Sequence, residues 1–123
     1  TDAHRRAGGR ADAAADAAIA TVGPAPALHE KALELELRAG RVDAALARLD
    51  RMSSGSAQRD TLLLRRAGIL ERSGRSEAAR AAYAETLVAV ASRTPSQRAT
   101  PAAERLESRA REGIARLGQG DAP

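Results

Sequence analysis

Apolar residues recur at helical spacing along this chain of 123 residues, and glycines separate the runs. After Gly40 and again after Gly74, apolar side chains return every three or four positions, which is the period of one face of an α-helix. The pattern therefore predicts a helix after each of these glycines. The two stripes consist of Val42, Ala45, Leu46, Leu49 and Met52 in the first helix, and of Ala78, Ala79, Tyr83, Thr86, Leu87 and Val90 in the second.

A short motif marks the start of these helices and occurs a third time near the beginning of the chain. The hexapeptide reads GRADAA from Gly9, GRVDAA from Gly40 and GRSEAA from Gly74, so its copies begin at nearly even intervals. Intervals of this size are typical of repeats in which each unit is a pair of helices. Glycine adopts a positive φ after a helix more easily than other residues, and the following acid favours the positive end of the next helix. The motif is therefore interpreted as a structural corner and not as a catalytic loop.

The helices that precede two of these corners carry apolar stripes of their own. In both helices apolar residues stand at positions i, i+4 and i+7, and the first stripe lies one residue further from its glycine than the second. We predict that each stripe packs against the second helix of its pair. The stripes are Leu28, Ala32 and Leu35 before Gly40, and Leu63, Ala67 and Leu70 before Gly74.

These patterns predict an all-α fold: a solenoid of antiparallel helix pairs with about six helices, forming a single domain over residues 1–123. Thr100 followed by Pro101 is a favourable N-cap and first-turn combination for the final helix. Both ends of the sequence interrupt the pattern, so we expect a fragment of a longer array in a bacterial protein. The predicted segments are the remnant of a second helix at 10–22, a helix pair at 27–52, a second pair at 57–90 and an additional helix at 101–117.

The composition excludes several kinds of catalytic and metal site. Because the chain contains no cysteine, it has no disulfide, no thiolate nucleophile and no Cys-containing zinc site. The two histidines, His4 and His29, belong to no HxxxH or HExxH motif. A phosphate-binding glycine loop and a nucleophile elbow are also missing from the sequence. We therefore predict a noncatalytic protein with no cofactor and no metal.

The charge of the chain brings in a second class of function. The sequence has 20 Lys and Arg against 16 Asp and Glu, a net charge of +4, and a pI near 10.8. Clusters such as Arg65-Arg66 favour weak binding of nucleic acid as an alternative function. Acidic residues stand among the arginines, however, and Tyr83 is the sole aromatic residue that can stack on bases. No apolar run approaches the ~20 residues of a membrane span, and the sequence, which starts at Thr1 and not at Met, assigns no compartment.

The second helix pair resembles the tetratricopeptide repeat. That family has a 34-residue period, a large–small–large series on its first helix, a turn with glycine, and an acid–Ala step followed by an aromatic residue on its second helix. Residues 27–52 match in the same way, and the resemblance covers most of the chain. It implies a right-handed solenoid of helix pairs. The matching residues are Leu63, Ala67 and Leu70, then Gly74, and then Glu77, Ala78, Ala79 and Tyr83.

What the resemblance implies for function is a protein-interaction scaffold. In this family the first helices of the pairs line a concave groove that binds a peptide or a partner's helix, and a partly apolar groove flanked by mixed charge suits an amphipathic helix. Alternatively, the groove leucines, Leu33 and Leu64, only pack against neighbouring helices. A structural or self-association segment of a larger protein is the alternative function. The implied partner-binding residues are His29, Leu33 and Glu36 in the first unit, and Leu64, Arg65, Gly68, Glu71 and Arg72 in the second.

Overall fold

The computed structural model describes residues 26–53 and 58–120. These residues are mainly helical, and no strand occurs among them. The all-α prediction is therefore confirmed for this part of the chain, whereas the segment 10–22 and the corner at Gly9 lie outside the described residues. The helices are α1 (Pro26–Arg38), α2 (Val42–Ser53), α3 (Arg59–Arg72), α4 (Ser76–Ala91), α5 (Pro95–Arg98) and α6 (Pro101–Gly120).

The chain divides into two compact units between Met52 and Ser53. The first unit contains α1 and α2, joined by the corner at Gly40. The second contains α3 to α6, and the corner at Gly74 joins its first two helices. The helix pairs predicted from the sequence are thus present, with one pair in each unit, while the single-domain organisation stays a prediction.

The corner at Gly40 closes α1 with two hydrogen bonds. Gly40 has a φ of 73°, in the left-handed region that favours glycine. Its N–H donates to the carbonyl of Leu37 at 3.1 Å, and the N–H of Arg41 donates to the carbonyl of Glu36 at 2.8 Å. This pair of bonds is the Schellman arrangement, which satisfies carbonyls that the end of a helix leaves unpaired.

The corner at Gly74 repeats the geometry found at Gly40. Gly74 has a φ of 80°, its N–H donates to the carbonyl of Glu71 at 3.1 Å, and the N–H of Arg75 donates to the carbonyl of Leu70 at 2.9 Å. As predicted, the acids that follow these two glycines, Asp43 and Glu77, lie in the first turn of the next helix. Residues at the same distance from Gly40 and from Gly74 are therefore structurally equivalent around the corner.

This equivalence adds polar residues to the contact that the apolar pattern predicted for α1. The predicted stripe of α3 is buried throughout, and its equivalents in α1 are His29, Leu33 and Glu36, one residue further along the chain than the predicted stripe. Two of these equivalents, His29 and Glu36, contact Arg48 of α2 through polar atoms. In the predicted stripe itself, Ala32 is fully buried and Leu28 and Leu35 are half-buried. The apolar pattern therefore did not include the charged residue that α1 turns towards α2.

In the second unit, α4 packs against both α3 and α6. Tyr83 of α4 is buried, and its ring lies so close to Gly113 of α6 that a Cβ atom on this glycine would stand 2.5 Å from the ring carbons. Only glycine permits such an approach of ring and backbone. The other buried hydrophobic residues of these two helices are small or aliphatic: Ala79, Ala82 and Val90 of α4, and Ala103, Ala110 and Leu117 of α6.

A short helix, α5, lies between α4 and α6. The hydroxyl of Thr94 accepts a hydrogen bond from the N–H of Gln97 at 3.3 Å, and the side chain of Gln97 accepts one from the N–H of Thr94 at 3.1 Å. This reciprocal arrangement is a capping box. The predicted cap of α6 is also confirmed, because the hydroxyl of Thr100 accepts a hydrogen bond from the N–H of Ala103 at 3.2 Å.

Candidate functional site

The predicted groove positions of the second unit lie along α3. Leu64, Arg65 and Gly68 are half-buried and Arg72 is exposed, so this side of the helix is partly open. A Cβ atom on Gly68 would meet nothing within 4 Å. The glycine thus leaves a notch in the helix surface. Leu64 lies one turn before it on the same side of the helix, so an apolar side chain adjoins the notch.

Glu71, the remaining predicted position in this unit, lies on α3 and forms hydrogen bonds to residues of two other helices. Its carboxylate accepts a hydrogen bond from the hydroxyl of Tyr83 on α4 at 2.6 Å and two from the guanidinium of Arg116 on α6, at 2.7 and 2.8 Å. The bonds from Arg116, and after them the bond from Tyr83, lower the pKa of Glu71 to about 2. Because its carboxylate is engaged in this network, Glu71 has a structural role in α3.

In the first unit the predicted positions belong to a buried polar cluster. Arg48 of α2 is 0% exposed and Glu36 is 2% exposed. Nε of Arg48 donates to Oε1 of Glu36 at 2.7 Å, Nη2 donates to Oε2 at 3.3 Å, and Nη1 lies 3.3 Å from Nδ1 of His29. Leu33, which lies between His29 and Glu36 on this side of α1, is fully buried. Burial of Leu33 and Glu36 supports the packing alternative for both residues.

A depression that sequence reasoning missed opens beside α4 in the second unit. Its volume of about 600 Å³ is within the range of ligand-binding clefts. Val88, on its α4 side, is 68% exposed, the one large hydrophobic residue so placed among those that the structure describes. The lining residues are Arg59 and Asp60 at the start of α3, Glu85, Val88 and Ala89 of α4, Ser92 and Arg93 just after it, and Gln97 of α5.

An ion pair fixes one side of this depression. Asp60 is 3% exposed and accepts two hydrogen bonds from Arg93, from Nε to Oδ2 at 2.5 Å and from Nη2 to Oδ1 at 2.8 Å. The backbone N–H of Thr61 also donates to Oδ1, at 2.8 Å. The hydrogen bonds from Arg93 hold the pKa of Asp60 below its ordinary value, although burial acts in the opposite direction. The pair connects the start of α3 with the segment that follows α4.

The other two charged residues of the depression are Arg59 and Glu85. Within the described ranges, neither side chain has an ion-pair or hydrogen-bond partner. The signal that points to this surface is the composition of α4, which has three charged residues among sixteen. A helix that is apolar on all sides is normally covered on all sides. The exposed Val88 shows that α4 is not.

Several arginines outside the Arg65-Arg66 cluster are paired with carboxylates. Arg48, Arg93 and Arg116 form the pairs described above. Two further pairs lie on helix surfaces: Arg38 with Glu34 and Arg111 with Glu107, each at 2.6 Å. Such pairing reduces the positive field on which nucleic-acid binding depends.

Residues 26–53 and 58–120 contain neither a cluster of metal ligands nor a helix suited to span a membrane. No three or more His, Cys, Asp or Glu side chains in these ranges are placed to hold a metal ion. None of the described helices combines the length and the apolar character needed to cross a bilayer.

Comparison with known proteins does not place the chain in a family. No family model matches it, and no curated protein and no solved structure matches it either. The function proposed below therefore depends on the repeat and the surface of the chain itself.

Proposed function

We propose that the chain is a noncatalytic protein-interaction module of the tetratricopeptide type, which binds a peptide or a partner's helix on the α3 surface around Leu64 and Gly68. The observation that carries the proposal is the recurrence of one corner at Gly40 and Gly74. Both corner glycines have a positive φ, 73° and 80°, and both corners have the same pair of hydrogen bonds. A helix–turn–helix unit repeated at this interval is what the resemblance to the family depends on, and repeat proteins of this kind commonly act by binding.

The α3 surface offers contacts that an amphipathic helix could use. Leu64 supplies an apolar anchor, and the notch at Gly68 allows a partner's side chain to approach the backbone of α3. Arg72, which is exposed, places positive charge one helical turn after Gly68. A partner helix with apolar residues at i, i+3 or i+4 and carboxylates on its flanks complements this surface.

The test uses a displayed library of helical peptides selected against the 123-residue chain, followed by titration of the selected peptides by fluorescence anisotropy. Gly68→Leu fills the notch and Leu64→Ala removes the anchor. Each change is expected to weaken binding by about tenfold or more, as is usual for an anchor of an interface. Leucine is also a better helix former than glycine, so Gly68→Leu is expected to leave α3 folded.

Leu62→Ala is the matched control for Leu64→Ala. Leu62 is half-buried on the same helix, but residues two positions apart do not share a helix face. Its loss should change peptide binding by about twofold or less. If no peptide is selected, or if the selected peptides bind all three variants as they bind the wild type, the proposed surface is wrong. A lower melting temperature with unchanged binding in Leu64→Ala would leave Leu64 with a packing role.

A further inference from the structure

The outward side of α4 consists mainly of alanine and valine. Both α2 and α4 follow a corner of the same geometry, so positions at equal distances from the two corner glycines compare directly. The exposed Asp50 of α2 corresponds to the exposed Ala84 of α4, whereas Glu77 and Glu85 keep a charge at the positions of Asp43 and Arg51. The exposed residues are Asp43, Ala47, Asp50 and Arg51 on α2, and Ser76, Glu77, Ala78, Ala81, Ala84, Glu85, Val88 and Ala91 on α4.

The apolar side of α4 combines a projection with a cavity. Val88 is 68% exposed, and it lies at the edge of the 600 Å³ depression described above. The Asp60–Arg93 pair holds one side of the depression in place. A ridge beside a groove is the shape that allows two helical surfaces to interlock.

Two opposite charges border this surface without a partner in the described chain. Arg59 lies on the α3 side of the depression and Glu85 on the α4 side, one helical turn before Val88. Arg59 is the first residue of α3, where a cation opposes the positive end of the helix dipole. Helix stability therefore does not account for an arginine at this position.

These features make the surface complementary to itself. A two-fold interface brings the same patch of each copy together, so every projection needs a cavity and every cation needs an anion within one patch. Here the patch contains Val88 and the depression, and Arg59 and Glu85. We propose that two copies of this chain associate through it, with Val88 of each copy in the depression of the other and Arg59 of each copy opposite Glu85 of the other.

This contact is separate from the peptide-binding function. It uses the depression between α3, α4 and α5, whereas the proposed peptide surface lies around Leu64 and Gly68 of α3. Loss of association would therefore leave the peptide titration unaffected, and the absence of a peptide ligand would leave association unaffected.

Sedimentation equilibrium of the full chain tests the contact between about 5 and 500 µM, a range in which small interfaces dissociate. The wild type should be a dimer at the upper end. Val88→Glu places a carboxylate in the apolar contact and should raise the dissociation constant by about tenfold or more. Ala115→Glu is the matched control: Ala115 is exposed on α6 and does not line the depression, so its dissociation constant should equal that of the wild type.

Charge exchange tests the pairing between copies. Arg59→Glu sets two carboxylates against each other in a dimer, and Glu85→Arg sets two guanidinium groups against each other, so each variant alone should dissociate. An equimolar mixture of the two variants restores both opposite-charge contacts and should associate, as should the double variant Arg59→Glu/Glu85→Arg. A pair formed within one chain would not be restored by mixing.

Circular dichroism melting shows whether each variant is folded at the temperature of the experiment. The proposal is overturned if the folded wild type is a monomer at the highest concentration, since a different protein would then be needed to cover the patch. Association that is equally strong in Val88→Glu and Ala115→Glu also overturns it, because the interface would lie elsewhere. Single-charge variants that fail to associate on mixing overturn the Arg59–Glu85 contact.

Discussion

The two helix pairs of this chain share one corner and differ in the core next to it. In the first pair, Glu36 and Arg48 form a buried ion pair. In the second pair, the equivalent positions hold Leu70 and Ala82, and both are buried. The corner geometry is therefore compatible with an ionic or an apolar contact between the helices that it joins. The glycine sets the turn, and the residues that face each other across it determine how the contact is stabilised.

The two contacts are filled by side chains of different kinds. Where the first pair has Arg48 and Leu49, the second has Ala82 and Tyr83, so a ring replaces the volume of the long guanidinium side chain. The hydroxyl of Tyr83 then reaches the edge of the core, where Glu71 accepts its hydrogen bond. In the second pair the charged group is therefore at the margin of the core, whereas in the first it is inside. A buried pair is costly to break because each ion has lost its water.

The largest effect is expected from breaking the ion pair of the first helix pair. Glu36→Leu introduces the residue of the equivalent position 70 but removes the carboxylate that accepts two hydrogen bonds from buried Arg48. We expect the free energy of unfolding of the first unit to fall by about 3 to 5 kcal/mol, the usual cost of removing one partner of a buried ion pair. Urea unfolding followed by circular dichroism, with hydrogen exchange of the α1 and α2 amides, measures this loss.

The double variant Glu36→Leu/Arg48→Met is the control for that experiment. Methionine is close to arginine in length and carries no charge, so the contact becomes apolar, as it is in the second pair. Replacement of a buried ion pair by apolar residues of similar volume is often neutral or stabilising. The double variant should therefore be more stable than Glu36→Leu alone. If it is equally unstable, the loss comes from packing and not from the broken ion pair.

The difference between the two pairs also explains which features the sequence could predict. The corners at Gly40 and Gly74 and the cap at Thr100 depend on residues within a few positions, so local patterns were sufficient for them. In α1 the apolar pattern did not include Glu36, because such a pattern favours leucines over charged residues. The carboxylate is buried only because Arg48 lies opposite, and a single helix gives no sign of that partner.

The two candidate surfaces also differ in whether residues close together in the sequence could predict them. The notch at Gly68 follows from its place on α3, which the repeat pattern supplied. The depression needs the start of α3, the end of α4 and α5 together, and the Asp60–Arg93 pair that holds it spans 33 residues. No local pattern encodes that distance. The one signal within the sequence is the composition of α4, which has three charged residues among sixteen.

The second largest loss of stability is expected next to Tyr83. This buried residue belongs to the second helix pair, and the first pair has no aromatic residue at the equivalent position. Gly113→Ala would place a Cβ atom 2.5 Å from the ring of Tyr83. We expect a loss of about 1 to 3 kcal/mol in the free energy of unfolding of the second unit, as for other overpacked cores. Gly118→Ala on the same helix meets its nearest atom, Nη2 of Arg80, at an ordinary 3.7 Å. It should be neutral or stabilising by up to about 1 kcal/mol, and equal losses in the two variants would exclude the ring contact as the cause.

Because the two corners have the same geometry, we expect the same substitution to cost similar stability at Gly40 and at Gly74. Gly40→Ala and Gly74→Ala each force a residue with a Cβ atom into the left-handed region, and at both positions the added atom would meet nothing within 4 Å. The cost is therefore one of backbone conformation alone, about 1 to 2 kcal/mol at each corner. Urea unfolding of the two variants should give similar losses, and asparagine at either position should cost less than alanine. Clearly unequal losses would mean that the corners differ in more than their cores.

The smallest effect on stability is expected from Glu71, whose carboxylate lies at the edge of the core of the second pair. The pKa of Glu71 is about 2 in the folded chain, against an ordinary value of 4.5, chiefly because Arg116 donates hydrogen bonds to it. As the pH falls from 4.5 to 2, the unfolded chain therefore takes up this proton first, and the contribution of Glu71 to stability is lost. Over this interval the wild type should lose stability more steeply than Glu71→Gln or Arg116→Gln, by a slope of at most one proton per molecule. Salt should reduce the difference, because Arg116 is more than half exposed. Parallel pH profiles for the wild type and Glu71→Gln would show that the network at the margin of the core does not contribute to folding, leaving the apolar contact as the source of stability in that pair.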